Sequence, residues 1–193
     1  NSPGGIVMVE NFLDGPQVST ESLMVEGTCF TPGFSDRNYE YLKKYSPSII
    51  ENGGDLPSIL SKETQNKIKD LISAAAQSMG IENGIVKGDI VVHNGIPHVI
   101  ELAARLSGGY FCTHEIPLNT GVDLVGNAIK MAVGDKIELS DLISTKNVHV
   151  CQRYLMRRNG IIKSYSTENA KLSNVLEFID HAMRVGQNIS GPV

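Results

Sequence analysis

Two carboxylates lie twelve residues apart in a stretch that has the pattern of a β-hairpin. Asp89 is inside the apolar run 85–93, and Glu101 is inside the run 99–102. An Asn-Gly pair at 94–95 separates the two runs, and such a pair between apolar strands is a strong signal for a tight hairpin turn. Because the turn sets the pairing of the strands, the hairpin is able to place the two carboxylates side by side.

Paired carboxylates at this place suit a magnesium site. Asp89 and Glu101 sit among Val, Ile and Leu residues, where an unpaired carboxylate costs free energy, so each needs a partner. Mg²⁺ takes one or two carboxylates and completes its shell with water and substrate phosphates. Arg105 adds a planar group suited to phosphate or carboxylate. A structural ion pair, with Arg105 or Lys87 as the cation, is the alternative and remains open.

Composition excludes several classes of function. The 193 residues have a net charge of −4, so no broad basic surface for nucleic acid or an anionic membrane is expected. No apolar run approaches the length of a membrane span. Three cysteines without CxxC spacing favour reduced thiols and a cytoplasmic location. The chain has no GxxxxGK[ST] or GxGxxG motif, so bound phosphates would be held by metal, by Arg or Lys, or by another part of the protein.

The hydrophobic pattern predicts a mixed, largely antiparallel sheet. We expect its strands within residues 6–30 and 84–107, starting with a short apolar strand at 6–9. Amphipathic patterns predict helices at 62–80 and 121–134. Each helix has a single apolar stripe, so we expect both to pack on one face of the sheet.

The pattern changes near Lys146. Beyond it, residues 148–155 and 160–166 read as strands of a small β-rich appendage. We therefore predict two domains, 1–145 and 146–193.

Three segments resemble the ATP-grasp ligases. Residues 9–19, VENFLDGPQVS, resemble the hinge strand and hairpin of that family, VEEFLxGxEVSVE. Residues 84–92 resemble its first metal-binding strand, and residues 99–109, VIELAARLSGG, resemble its second, in the branch written EIAARLSGG. That branch is similar to the carboxylate–amine ligases and is near phosphoribosylglycinamide synthetase, biotin carboxylase and carbamoyl-phosphate synthase. The resemblance implies an α+β fold, the C-terminal subdomain of an ATP-grasp domain.

The resemblance also implies how the hinge binds ATP. The backbone carbonyl of Glu10 would accept a hydrogen bond from the adenine amino group, and the backbone N–H of Leu13 would donate to a ring nitrogen. Asn11 lies between them and Phe12 would pack nearby. The family's ribose-binding Glu is replaced by Gln17, whose amide still offers donors and an acceptor to a ribose hydroxyl.

The implied phosphate and substrate sites lie on the hairpin. Asp89 and Glu101 would hold Mg²⁺ (or Mn²⁺) between the β- and γ-phosphates of ATP. Arg105 would stabilise the transferring phosphoryl group, and Gly108 and Gly109 would border the carboxylate substrate.

One departure from the family pattern concerns the metal. Ala103 stands where many relatives have an Asn ligand, which leaves a second metal in question.

The implied whole protein is an ATP-dependent ligase that activates a carboxylate as an acyl phosphate, which an amine then attacks. Family members need an upstream lobe that covers the phosphates, so we expect these 193 residues to be a fragment, incomplete at both ends and inactive alone. A homodimer is compatible with the resemblance. The alternative from a different class is a catalytically inactive nucleotide- or metal-binding module, or an interaction domain.

Overall fold

The main sheet of the protein has six antiparallel strands. A computed structural model describes residues 4–156, 159–178 and 183–190. The described residues form eight strands in two sheets: β1 Gln17–Val25, β2 Thr28–Arg37, β3 Gly54–Leu56, β4 Gly84–His93, β5 Ile96–Ala103, β6 Val150–Cys151, β7 Gly160–Ile161 and β8 Asn188–Ile189. The helices are α1 Leu42–Tyr45, α2 Lys62–Ser78, α3 Ile116–Thr120 and α4 Leu124–Ala132, with a π-helical turn at Phe111–Glu115 and 3₁₀ turns at Leu139–Leu142 and Glu168–Lys171. The strand order in the main sheet is β5-β4-β1-β2-β3-β6, and β7 and β8 form a second, two-stranded sheet. The α+β class and the mostly antiparallel sheet are confirmed.

The predicted hairpin is present as β4 and β5. Asn94 and Gly95 both have positive φ, 51° and 77°, as a two-residue type I′ turn requires. The register places Asp89 directly opposite Glu101, and a bulge follows between Asp89 and Ile90. The register set by the turn alone would pair Asp89 with residue 100. The bulge shifts the pairing by one residue and so brings Glu101 opposite Asp89, on the same face of the sheet.

The predicted helices pack on opposite faces of the sheet, so the expectation that both lie on one face is wrong. Val18 and Met24 of β1 belong to one apolar cluster, together with Ile72 of α2. Leu23, which points to the other side of β1, belongs to a second cluster with Leu124 of α4. An apolar stripe shows that a helix buries one side, but it does not say which face of the sheet receives that side.

Both helices have capping residues at their first turn. The Ser61 hydroxyl accepts a hydrogen bond from the Thr64 N–H at 3.2 Å and starts α2. The Asp123 carboxylate accepts one from the Gly126 N–H at 2.8 Å. This cap makes α4 begin at Leu124, three residues later than the pattern predicted.

The predicted strand at 6–9 is not formed. Residues 5–14 have no regular secondary structure, and β1 begins only at Gln17. The side chain of Val9 is 89% exposed, and those of its neighbours Ile6 and Met8 are similarly exposed. A strand needs a neighbour to satisfy its backbone groups, and none of the described strands lies beside this segment.

The region after residue 146 is divided between the two sheets. β6 pairs with β3 at the edge of the main sheet, whereas β7 pairs with β8. Of the predicted strand 148–155, only Val150–Cys151 is formed, and of 160–166 only Gly160–Ile161. The domain boundary near Lys146 stays a prediction. Among the described residues, no helix is long and apolar enough to cross a membrane.

Candidate active site

Polar side chains collect on the sheet face that α2 does not cover. Asp89 on β4 is paired with Glu101 on β5 and with Ser19 on β1. Two residues along, Lys87 is paired with Glu21. Side chains directly opposite each other in antiparallel strands point to the same face, so all five project from one side of three adjacent strands.

Asp89 already has two partners on this face. Its Oδ1 accepts a hydrogen bond from the Ser19 hydroxyl at 2.6 Å, and its Oδ2 forms an ion pair with Lys87 Nζ. The Asp89 side chain is 36% exposed and that of Lys87 is 11% exposed. The sequence left open whether Lys87 or Arg105 pairs with Asp89, and the cation is Lys87.

Glu101 differs from Asp89 in its surroundings. It is exposed, so the expectation that both carboxylates are buried among apolar residues is wrong for Glu101. Within the described part of the chain, its carboxylate has no hydrogen-bond or ion-pair partner. The reason is that Glu101 lies on the edge strand β5, where no further strand covers it.

A polar cavity of about 330 Å³ opens on the same face. The residues that line it come from β2, the loop before β3, β4, the turn after β5 and the C-terminal region: Arg37, Glu51, Lys87, Arg105, Ser107, Gly108, Gly109 and Tyr154. Three predicted site residues, Arg105, Gly108 and Gly109, thus surround one cavity. Asp89 reaches it through its ion pair with Lys87, and neither Asp89 nor Glu101 lines it.

An arginine that sequence reasoning missed forms one wall of this cavity. The Arg37 guanidinium donates to the Ser19 hydroxyl at 2.7 Å and to Glu51 Oε1 at 2.9 Å, and it stacks 5.1 Å from the centre of the Phe111 ring. Burial raises the pKa of the Glu51 carboxyl, and the positive charge of Arg37 opposes this rise. Arg37 and Glu51 flank the irregular stretch after β2, where no periodic pattern links them, so the sequence offered no signal.

A second missed residue is Glu21, which lies beneath the turn at Ser107. Its side chain is fully buried, and both of its oxygens accept hydrogen bonds from Ser107. Burial raises the pKa of Glu21 to about 7, although the Ser107 hydrogen bonds and the charges of Lys87 and Arg105 act to lower it. Two signals for Glu21 were available: the alternation of β1 placed it on the same side as Ser19, and the final Glu of the family motif VEEFLxGxEVSVE falls at this position.

The predicted adenine-binding residues lie outside the packed structure. Glu10, Asn11 and Phe12 are exposed, and Leu13 is half-buried. Gln17 is the first residue of β1 and is half-buried on the same side of the strand as Ser19. The hinge residues thus form a mostly exposed segment that leads along the chain into β1.

The carboxylates fit a magnesium ion that shares its shell with a phosphate. Among residues 4–156, 159–178 and 183–190, no group of three or more His, Cys, Asp or Glu side chains is placed to hold a metal ion. A site made wholly of protein ligands is therefore not supported by these residues. Two carboxylates paired across strands, beside a cavity lined by Lys87 and Arg105, match the sparse protein ligation that Mg²⁺ shows when substrate phosphates complete its shell.

Known proteins resemble this chain in structure more than in sequence. No protein-family model and no curated protein sequence matches it. The L-amino acid ligase from Bacillus licheniformis is similar over 93% of this chain and 45% of its own, with a TM-score of 0.78 and 21% identity. The phosphoribosylglycinamide synthetase from Anaerococcus prevotii is similar over the same shares, 93% and 45%, with a TM-score of 0.76 and 18% identity.

A third similar structure names the superfamily directly. It is a protein from Archaeoglobus fulgidus assigned to the ATP-grasp superfamily, with a TM-score of 0.52 and 18% identity over 74% of this chain and 40% of its own. The present chain spans about half the length of the first two proteins. At these identities the likeness shows the fold, which agrees with the antiparallel sheet and hairpin described above. The chain therefore has the fold of the ATP-grasp superfamily, as the sequence resemblance predicted.

Proposed function

We propose that this chain is part of an ATP-dependent carboxylate–amine ligase. The observation on which the proposal rests is the cross-strand pair Asp89–Glu101, on one sheet face with a cavity lined by Lys87, Arg105 and the Gly108–Gly109 turn. Metal ligands, phosphate-binding cations and a turn with accessible backbone are the parts that phosphoryl transfer to a carboxylate needs. The similarity of fold to two ligases supports the same conclusion.

In the proposed reaction, a substrate carboxylate oxygen attacks the γ-phosphorus of ATP. The bond from that phosphorus to the bridging oxygen breaks, and ADP leaves with the electron pair. The amine nitrogen then attacks the acyl carbon, inorganic phosphate departs, and the nitrogen loses a proton. Positioning and charge neutralisation would supply most of the rate, because the protein forms no covalent bond in either step.

Each residue of the site has a role in this scheme. Asp89 and Glu101 would hold Mg²⁺ (or Mn²⁺), which neutralises phosphate charge when bound. Arg105 would stabilise the transferring phosphoryl group and the acyl phosphate. Gly108 and Gly109 would let the carboxylate substrate approach the backbone.

The hinge residues would bind the nucleoside in this proposal. The Glu10 carbonyl and the Leu13 N–H would contact adenine, with Asn11 between them and Phe12 packed nearby. Gln17 would contact the ribose through its amide. The proposal includes a further lobe of the parent protein, a cytoplasmic location, a homodimer and a domain boundary near Lys146.

Exposed apolar side chains support the proposed further lobe. Ile6, Val7, Met8, Val9 and Phe12 are each at least 76% exposed in one continuous segment. A contiguous exposed apolar segment is typical of a surface that another part of the protein covers.

One observation favours the alternative, an inactive nucleotide- or metal-binding module. Lys87 and Ser19 already satisfy Asp89, as expected of a structural ion pair. For Asp89 to ligate a metal, Lys87 must pair with another anion instead, and a nucleotide phosphate at the cavity that Lys87 lines would serve. The two functions therefore differ in ATP turnover: a ligase hydrolyses ATP when metal and substrates are present, whereas an inactive module does not.

The deciding experiment measures phosphate release by this chain and by the longer parent protein, side by side. Each is assayed with ATP, with and without Mg²⁺, against a panel of amino acids. We expect the parent to release phosphate only with Mg²⁺, a carboxylate and an acceptor amine, and the 193-residue chain to release almost none. In the parent, Arg105→Ala should abolish most ligation, whereas Arg184→Ala, which removes an exposed arginine outside the cavity, should not. Rapid substrate-dependent turnover by the chain alone, or no turnover by the parent, would contradict the proposal.

A further inference from the structure

A buried carboxylate supports the turn that borders the candidate site. Glu21, in the middle of β1, has no exposed surface. The backbone N–H of Ser107 donates to Glu21 Oε1 at 3.1 Å and to Oε2 at 3.2 Å, and the Ser107 hydroxyl also donates to Oε2. One carboxylate thus accepts every hydrogen that Ser107 has to donate.

These contacts join the central strand to the chain that leaves β5. Ser107 is separated from Arg105 by one residue and is followed directly by Gly108 and Gly109. Arg105 and the two glycines are exposed at the cavity, whereas Ser107 is buried behind them. Leu106 is partly buried against the apolar cluster that contains Leu23, and the Glu21 contacts hold Ser107, the most buried residue of this segment.

The far end of the turn is also held. The Gly109 carbonyl accepts a hydrogen bond from the Gln152 side-chain amide at 2.6 Å, and the Ser107 carbonyl accepts one from the Cys112 thiol at 3.0 Å. Gly109 and Tyr110 follow with positive φ, 64° and 66°, a conformation that a free chain seldom adopts in two successive residues. The turn is thus held at Ser107 by Glu21 and at Gly109 by Gln152.

A second buried glutamate shows that burial alone does not explain Glu21. Glu115 is 3% exposed, and burial raises its pKa to about 7, as it does for Glu21. Within the described residues, neither oxygen of Glu115 has a hydrogen-bond partner. The two side chains share type, burial and the direction of their pKa shift, and they differ in the contact with Ser107.

We propose that Glu21 is a positioning residue that holds the Ser107–Gly109 turn, and with it Arg105, in the place where a carboxylate substrate binds. Glu21 does not touch the substrate in this proposal, because Ser107 lies between it and the cavity. The contact orders three exposed residues at the cavity before a ligand arrives, which lowers the entropy lost on binding. The part of the proposal that concerns the substrate rests on the ligase function proposed above; the part that concerns the turn does not.

The first test measures amide hydrogen exchange in the 193-residue chain. We expect Glu21→Ala to speed exchange of the Ser107 amide by about tenfold, because the amide loses both acceptors, while amides of β4 that face β1, such as that of Val92, which donates to the Pro16 carbonyl, change by less than about twofold. Glu21→Gln keeps one acceptor oxygen, so the Ser107 amide in this variant should exchange at a rate between those of the wild type and Glu21→Ala. If Glu21→Ala does not fold, the Glu21→Gln variant decides, with faster exchange expected at Ser107 alone. Glu115→Gln is the matched control and should leave the Ser107 amide unchanged.

The second test measures steady-state kinetics in the parent protein. Glu21→Gln should raise KM for the carboxylate substrate by about threefold, and Glu21→Ala by about tenfold, with KM for ATP changed by less than about twofold, since the hinge is remote from this turn. If Glu21 only stabilised the fold, KM for the carboxylate and KM for ATP would change by the same factor.

The outcomes distinguish this proposal from the ligase function. Unchanged exchange at Ser107 in Glu21→Ala and Glu21→Gln, or faster exchange spread over the whole β1–β4 ladder, would overturn the proposed role of Glu21. Equal changes in both KM values would overturn its effect on the substrate. A parent without ligase activity would refute the proposed function, while local faster exchange at Ser107 would still support the role of Glu21 in holding the turn.

Discussion

The β4–β5 hairpin and the hinge segment 9–13 are both assigned to the ATP site by sequence resemblance, yet they are held in very different ways. The hairpin has a continuous ladder, with β4 paired to β1 on one side and to β5 on the other. The hinge segment has no strand pairing, and its Val9 side chain is 89% exposed. The hairpin thus presents its side chains from a paired sheet, whereas the hinge segment has no regular secondary structure before it joins that sheet.

The junction between the two regions is well defined. His93 Nδ1 lies 2.7 Å from the Asp14 carbonyl oxygen, and the Val92 N–H donates to the Pro16 carbonyl at 2.9 Å. Hydrogen bonds from the end of β4 therefore reach back along the chain to residue 14. The comparison shows that the proposed metal-binding residues lie on paired strands, whereas the proposed nucleoside-binding residues lie mostly on an exposed segment without strand pairing.

The largest expected effect is on catalysis by the parent protein. We expect Asp89→Asn and Glu101→Gln each to lower ligation by at least about 100-fold, because each removes a proposed metal ligand from a rigid strand. Glu63→Gln, which removes an exposed carboxylate on α2 that pairs only with Lys67, is the matched control. Amide-product formation is the measurement, and wild-type activity in Glu101→Gln would show that the hairpin pair is structural.

The next effect is on stability and tests the packing beneath the hairpin. A Cβ atom at Gly88 would lie 2.6 Å from Ile72 Cδ1 and 2.7 Å from Thr20 Oγ1. Gly88→Ala should therefore lower the free energy of unfolding by about 1–3 kcal/mol, since α2 must shift away from β4. At Gly108 a Cβ atom meets nothing within 4 Å, so Gly108→Ala should leave urea unfolding unchanged. Equal midpoints for the two variants would show that α2 is not packed firmly on the hairpin.

The pH dependence of stability tests the buried glutamates on either side of the site. Burial raises the pKa values of Glu21 and Glu115 from 4.5 to about 7. Between pH 4.5 and about pH 7 the folded state keeps protons that the unfolded state has lost. The free energy of unfolding should therefore fall as pH rises in this range, by up to about 1.4 kcal/mol per pH unit for each group. Urea unfolding at pH 5 and pH 8 measures the change. Glu21→Gln and Glu115→Gln should each flatten the slope, and an unaltered slope in both would contradict the pKa shifts.

The smallest expected effect is at the hinge. Phe12 is 76% exposed, so Phe12→Ala should change the stability of this chain by no more than about 0.5 kcal/mol. In the parent, it should weaken ATP binding by no more than about tenfold, because the proposed adenine contacts at Glu10 and Leu13 come from the main chain. Thermal unfolding and an ATP titration measure the two effects. A large loss of stability in the isolated chain would show that the hinge is packed after all.

Short-range signals in the sequence predicted the elements that close locally. The Asn-Gly pair predicted the β4–β5 turn and the register beside it, because a two-residue turn leaves one way to pair the adjoining residues. The pairing of Asp89 with Glu101 also needs the bulge between Asp89 and Ile90. The start of α2 depends on a similarly local contact, since the Ser61 hydroxyl accepts a hydrogen bond from a backbone N–H three residues away. The strand at 6–9 failed because its apolar run needs a neighbour that no local signal reveals.

The sequence by itself determined the turn that joins β4 and β5 and, through resemblance, the ATP-grasp fold. Only the tertiary structure decided what surrounds the hairpin: that α2 and α4 lie on opposite faces, that Glu101 is exposed at a sheet edge, and that Lys87 pairs with Asp89. It also brought Arg37 to Glu51 and Glu21 to Ser107, which is 86 residues away. The physical reason is that periodicity reports which side of an element is apolar, whereas contacts between distant residues follow from how the layers stack.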